Sequence, residues 1–270
     1  MRIQRFISAV LMIVIMIGCV LVISLLVQNR NDHETQSQAT EPRQTSNENT
    51  SEQKSEPIKQ LQPKRAKKKG VAEKRLTAPY VSQKPELPNG CEVTSLTMLL
   101  QSASVKVDKL TLASKMKKVP FQSGEFKGNP NEGFVGNMYH GSRANPGLAV
   151  YHGPVADLAR SYLGNRVIDL SGKSWSAIET QLVSGNPVWT ITSINFQPIP
   201  DSAWQEWRTR QGTMRITFRE HSVLLTGFDE HNVYFNDPLA GGPGSKSDKQ
   251  AFIKAWKQFG NQAISYTSEQ

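Results

Sequence analysis

The chain has 270 residues, 37% of them hydrophobic and 20% charged, with a formal net charge of +9. It is too long for a disulfide-stapled mini-protein, and its two cysteines cannot form such a framework. A mean hydropathy of -0.46 excludes a protein made mostly of membrane spans.

These averages conceal three regions. Residues 7–27, from Ile7 to Val27, form an uncharged and mostly apolar run behind Arg2 and Arg5. A helix needs about 20 such residues to cross the hydrocarbon core. A cleavable signal peptide has a shorter apolar core and a small-residue exit, and Leu25-Leu26-Val27-Gln28-Asn29 offers no such exit. The run reads as an uncleaved single-pass anchor, with residues 1–6 cytoplasmic and everything after Val27 outside the cell membrane. Two other readings compete with it. Met16-Ile17-Gly18-Cys19 is a loose lipobox, so Cys19 can be the modified residue of a lipoprotein, although Val20–Val27 then remains as an apolar stub. A secreted, cleaved form is the other.

Residues 28–75 read as a stalk. The stretch to residue 62 is rich in Gln, Asn, Ser, Thr and Glu and cannot bury enough apolar surface to offset its ordering entropy. Residues 64–75 then carry seven Lys or Arg against one Glu. Such a run suits anionic lipid head groups or an anionic cell-wall polymer. Nucleic acid is not expected as a partner outside the membrane, and a solvated linker without a partner is the bland alternative.

Residues 76–270 read as one globular domain. Ala78–Ser82 is extended and Leu87-Pro88-Asn89-Gly90 is a turn. Cys91 opens a helix to about Ser102, with Val93, Leu96, Met98, Leu99 and Leu100 on its apolar face. A second helix is predicted over Val107–Lys117, and Gly124–Pro146 reads as a long irregular loop. Helices follow at Pro154–Leu163, stopped by Gly164-Asn165, and at Trp175–Ser184, capped by Ser174. Strands are predicted at Arg166–Leu170 and Pro187–Ile194. His221–Phe228 and Val233–Asn236 form two further strands joined by Asp229–Asn232. Lys249–Phe259 is a closing helix and Ala263–Tyr266 a last strand. Helices first and an antiparallel sheet later imply an α+β fold.

Few residues carry chemistry. Cys91 is the only cysteine of this domain, and at a helix start it is expected to have a lowered pKa. An inert, half-buried thiol is the competing reading. A thiol nucleophile needs a base, and the base needs an orienting group. Of the four histidines of the domain, His140 and His152 lie in or beside the Gly-rich loop and His231 in a turn. His221 begins one strand of the hairpin and Asp237 ends the other, so folding brings both towards one open end. No histidine pair has zinc-helix spacing, and one cysteine cannot make a thiolate cluster, so no metal and no cofactor are expected. Glu92 reads as a structural residue at the helix start. The five Trp residues, 175, 189, 204, 207 and 256, read mostly as packing groups, with Trp204 and Trp207 candidates for a flap before His221.

Three segments together resemble a family. Tyr80-Val81-Ser82-Gln83, then Glu86-Leu87-Pro88-Asn89-Gly90-Cys91-Glu92-Val93-Thr94-Ser95-Leu96, is similar to the nucleophile segment of stand-alone, exported C-39-like cysteine peptidases. These are relatives of the double-glycine leader peptidases of bacteriocin exporters. His221–Asp229 and Val233–Pro238 resemble their second and third motifs, and Gly128-Asn129-Pro130 with Gly133–Gly136 extends the likeness, which runs from about Tyr80 to Tyr266. The resemblance implies a papain-like fold, with Cys91 as nucleophile, His221 as general base and acid, and Asp237 orienting His221. It also implies a Gln for the oxyanion hole. The exporter peptidases place it six residues before the Cys, where this chain has Pro85, so Gln83 becomes the candidate, with an ordinary polar turn residue as the alternative.

The reading is therefore a membrane-anchored extracellular thiol peptidase acting on a peptide or protein substrate. A non-catalytic module binding a peptide or cell-wall stem on the same fold is the alternative, as is a thiol-dependent cell-wall amidase or transpeptidase. Asp237 leans against an amidase, which commonly uses a second His there. Oligomeric state is not legible.

Overall fold

The computed structural model describes residues 73–268. The apolar run 7–27, Cys19 and most of the stalk lie outside them. Among the described residues, no helix is long and apolar enough to cross a membrane.

In chain order the strands are β1 (Lys74–Arg75), β2 (Lys118–Val119), β3 (Gln122–Ser123), β4 (Phe126–Lys127), β5 (Phe134–Val135), β6 (Val167–Asp169), β7 (Val188–Ser193), β8 (Gln205–Thr209), β9 (Gly212–Ile216), β10 (Glu220–Phe228), β11 (Asn232–Asn236), β12 (Ser245–Asp248) and β13 (Ala263–Tyr266). The helices are α1 (Cys91–Ser102), α2 (Lys109–Lys115), α3 (His152–Leu163), α4 (Trp175–Val183) and α5 (Lys249–Gln258). A seven-stranded sheet runs β12-β11-β10-β7-β13-β6, with β1 also pairing β10. Its pairs are antiparallel. The α+β expectation holds.

Side chains alternate between the two faces of a strand, and the central strands are apolar on both. Leu224, Trp189, Ile191 and Ile264 pack with Leu96 and Leu99 of α1, Leu112 of α2 and Val155 and Ala159 of α3. Val223, Leu225, Phe235, Val188 and Ala263 pack with Ile178 and Leu182 of α4 and Phe252 and Trp256 of α5. The sheet thus lies between two helical layers, each with its own core.

Helix α1 is buried from Cys91 to Leu100. Its polar side chains are satisfied internally: Thr94 Oγ1 donates to Gly90 O (2.7 Å), Thr97 Oγ1 to Val93 O (2.8 Å) and Ser95 Oγ across to Ser222 O of β10 (3.0 Å). Gly90 is required at its entry, because a Cβ there would stand 2.7 Å from Leu87 Cβ. The helix therefore begins tightly against the turn that precedes it.

Expected elements recur with small shifts. The second helix shortens to Lys109–Lys115, capped by Asp108, which accepts from Leu110 N and Thr111 N at 2.9 Å each. Ser174 precedes α4 without capping it; its Oγ pairs with Ser176 Oγ instead.

Three features depart from the sequence reading. The Gly-rich loop contains strands: β3 pairs β4, and β5 pairs β2 in parallel. The segment 199–219 contains the β8–β9 hairpin. Its Trp207 is buried, with Nε1 donating to Gly128 O at 2.7 Å, and Trp204 rests on Phe259 with ring centroids 5.3 Å apart. Both indoles of the candidate flap are thus packing groups. Finally, residues before 76 are part of the sheet. Lys74 and Arg75 pair with Phe228 and Gly227, and the Arg75 guanidinium lies 3.8 Å from the Tyr234 ring centroid. The stalk expected to run to residue 75 therefore gives way to structure at least two residues earlier.

Candidate active site

Cys91 is buried, at 7% exposure, on the first turn of α1. The turn before it is held from two sides. Asn89 N donates to Met138 O (3.1 Å) and Asn89 Nδ2 to Asn137 O (3.1 Å), which ties it to the glycine-rich segment. Gln83 ties it to the other side. Its Nε2 donates to Pro88 O (2.8 Å), and its backbone N donates to Pro238 O (2.9 Å), next to Asp237. Gln83 is 2% exposed and its Oε1 is buried without a partner. It therefore joins the Cys91 turn to the segment that carries Asp237.

His221 is the second residue of β10 and is 1% exposed. The β10–β11 hairpin and its bulge between Leu225 and Gly227 bring Asp237 to it, with His221 Nε2 2.7 Å from Asp237 Oδ1. Leu239 N donates to the same oxygen at 2.8 Å. Phe196 covers the imidazole, with ring centroids 6.2 Å apart, and packs on Phe235 and Phe252 behind it. Burial pushes the Asp237 carboxyl up, but the hydrogen bond and charge of His221 and the Leu239 N–H outweigh it and hold the group below its ordinary range. Because Asp237 is the acceptor, Nε2 carries the proton in neutral His221, which leaves Nδ1 as the basic nitrogen.

The thiol differs from expectation. Sγ donates to Glu92 Oε2 at 3.3 Å, and no hydrogen bond joins it to His221 in this structure. Glu220, the residue before His221, brings a carboxyl oxygen within 4.8 Å of the thiol. The expected lowered pKa is corrected to a raised one. Burial acts first, then the charges of Glu92 and Glu220, and together they push the thiol well above its ordinary range against the Ser222 N–H.

Glu92 is fully buried, and its Oε1 accepts from Val150 N at 2.7 Å. It has a structural bond, to a backbone N–H far along the chain and not at its own helix start, and it also touches the nucleophile candidate. Burial pushes its carboxyl up to about 7, against the hydrogen bonds it accepts. Glu220 was not singled out from sequence. It is partly exposed as a residue, yet its Oε1 is shut off from solvent and has no partner. Burial, followed by the charge of Glu92, raises its carboxyl well above the usual range. One donor atom each from Cys91, Glu92 and Glu220 all lie within 4.8 Å of one another, close enough to share a single cation. The expectation of no metal rests on His and Cys spacing and does not weigh these carboxylates. The signal for Glu220 was its position beside His221 on a strand facing the helix that carries the cysteine.

The other histidines among the described residues stand apart from this constellation. His152 opens α3 and pairs through Nδ1 with Asp169 Oδ2 at 2.7 Å, whereas His140 and His231 are exposed. Trp189 supports the site from below, its Nε1 donating to Glu92 O at 3.0 Å.

Comparison with known proteins places the chain in a family. The uncharacterised protein YvpB of Bacillus subtilis (strain 168) is 51% identical over 181 residues, covering 67% of this chain and 70% of that protein. The crystal structure of a candidate C39-like peptidase from Bacillus anthracis superposes with a TM-score of 0.71 at 44% identity, covering 73% of this chain and 98% of that one. The profile of the Peptidase_C39 like family matches residues 75–264, which takes in Gln83, Cys91, His221 and Asp237. The chain belongs to the Peptidase_C39 like family.

Proposed function

We propose that the protein is a membrane-anchored, extracellular thiol peptidase that hydrolyses peptide or amide bonds through Cys91, His221 and Asp237. The observation that carries this reading is the buried His221–Asp237 pair, held at 2.7 Å, with the Cys91 thiol within 4.8 Å of a carboxyl oxygen of Glu220, the residue before His221. A binding module has no use for an imidazole oriented in this way.

In the proposed reaction the thiol leaves Glu92 and gives its proton to Nδ1 of His221, and the thiolate sulfur bonds to the substrate carbonyl carbon. Asp237 stabilises the resulting imidazolium. The carbonyl oxygen, now negative, takes hydrogen bonds from the Cys91 N–H, which is free of helical partners as a first-turn group, and from the second Nε2 hydrogen of Gln83. The C–N bond then breaks as His221 returns the proton to the leaving nitrogen. His221 next removes a proton from water, which attacks the thioester carbon. The C–S bond breaks, the acid departs, and the thiol is restored.

The run 7–27 supports an anchor, and the basic residues 64–75 support contact with anionic lipid or cell-wall polymer. The test uses the full chain in mild detergent with a pool of internally quenched peptides. Hydrolysis is expected from the wild type and is expected to vanish in Cys91→Ala and His221→Ala. Peptide binding without hydrolysis, equal in wild type and Cys91→Ala, would overturn the reading in favour of a binding module.

A further inference from the structure

The environment of the thiol is built from carboxyl groups. Sγ donates to Glu92 Oε2 at 3.3 Å, and Glu220 completes a triangle whose donor atoms lie within 4.8 Å of one another. Three segments contribute titratable groups here: Cys91 and Glu92 from α1, Glu220 from the start of β10 beside His221, and Tyr151 from the segment entering α3, whereas β7 contributes the neutral indole of Trp189. Glu92 is immobile, because its Oε1 holds Val150 N at 2.7 Å and its backbone carbonyl holds the indole of Trp189 at 3.0 Å. Glu220 has no such ties, and its Oε1 is shut from solvent without a partner. Two carboxyls this close in a buried place cannot both ionise cheaply, and any charge they carry disfavours a thiolate beside them. This is the reverse of what an activated cysteine needs.

We propose that Glu92 and Glu220 are positioning residues that hold the Cys91 thiol protonated and turned from His221, so that the nucleophile rests in a latent state. Glu92 takes the S–H hydrogen bond, and Glu220 adds negative charge when it ionises. Release follows when a bound substrate displaces the thiol from Glu92. The directions of all four shifts agree with this arrangement: Cys91, Glu92, Glu220 and Tyr151 are each moved towards the uncharged form. The inference deepens the peptidase reading and rests on it, but its test uses no substrate, so the two fail separately.

The experiment measures alkylation of Cys91 by iodoacetamide against pH, in the full chain, for wild type, Glu92→Gln, Glu220→Gln and Glu92→Asp. Gln at 92 keeps an oxygen for Val150 N and removes the charge. One unit of thiol pKa is a tenfold change in thiolate at a pH below it. Glu92→Gln is expected to speed alkylation at pH 8 about tenfold or more, Glu220→Gln to act in the same direction, and Glu92→Asp to stay near wild type. A denatured control and an unchanged melting temperature separate this gain from local unfolding. Should Glu92→Gln not fold, Glu220→Gln carries the test by itself. Alkylation equal to or slower than wild type in a folded Glu220→Gln or Glu92→Gln protein would overturn the proposal. A structural role alone does not produce a faster thiol.

Discussion

Replacing Asp237 by Ala removes the acceptor of two hydrogen bonds, from His221 Nε2 at 2.7 Å and Leu239 N at 2.8 Å. His221 is 1% exposed, so its Nε2–H would be left buried without a partner. A hydrogen bond to a charged group contributes about 1.5–3 kcal/mol, and an orphaned buried donor costs about 1–3 kcal/mol. Asp237 keeps 14% of its side chain exposed, which lets water replace part of the loss. The expected destabilisation is about 2–4 kcal/mol, or about 4–16 °C in Tm for a domain of this size. Asp237→Asn keeps an oxygen in the same place and should cost only about 1 kcal/mol. The pH dependence has a definite sign. The folded pKa of Asp237 is lowered, so its contribution is full above the unfolded value, near 3.9, and is lost as pH falls through the folded value. Calorimetry of wild type and both variants between pH 7 and pH 3 should show the Ala gap widest at pH 7 and narrowing in acid. In turnover, Asp237→Ala should lose about 10³–10⁴ in rate, because Nδ1 is no longer kept free of its proton. Equal Tm values for Asp237→Ala and wild type at pH 7, or a gap that grows in acid, would refute the argument.

Three other outcomes follow from local geometry. Gly136→Ala places a Cβ 2.1 Å from Pro146 O at a φ of +82°, so it should cost more than about 3 kcal/mol by chemical denaturation and loosen the loop behind Asn89. Trp207→Ala empties a small core shared with Val135 and Ile216 and removes the bond to Gly128 O. It should cost about 3–5 kcal/mol locally and open the β8–β9 hairpin to limited proteolysis before the sheet melts. Asp169→Asn tests the second His–Asp pair. Partial burial raises the Asp169 carboxyl, but His152 and Ser171 outweigh it and hold it down to about 2. The contribution of Asp169 is therefore complete above about 3.9 and fades as pH falls through about 2, so wild type and variant should converge in Tm towards pH 2.

Much of this site is legible in the sequence for a physical reason. Strand alternation and one short connection are enough to bring His221 and Asp237 to the same end of a hairpin. The Asn89-Gly90-Cys91 turn announces a helix start because only glycine fits against Leu87. The environment of the thiol was not legible, since it depends on a carboxyl far along the chain, Glu220, that reaches α1 only once the sheet has formed. The β8–β9 hairpin was read through because Trp207, Met214 and Ile216 are few and pack in a cluster of their own. The strand β12, Ser-Lys-Ser-Asp, carries no apolar signal and is recognisable only by its antiparallel pairing with β11. The β1 pairing was missed because two basic residues at the end of a charged run look like linker, whereas Arg75 is held by Tyr234 and Asp229.

The most direct test is whether Cys91 becomes acylated. The full chain is mixed with an activated acyl ester, quenched in acid, and mapped by peptide mass spectrometry. The account predicts an acyl adduct on Cys91 that forms and turns over in the wild type, and forms far more slowly in His221→Ala. Acylation of Cys91 at the same rate in folded His221→Ala, or none at all in the folded wild type, would contradict the Cys91–His221–Asp237 assignment.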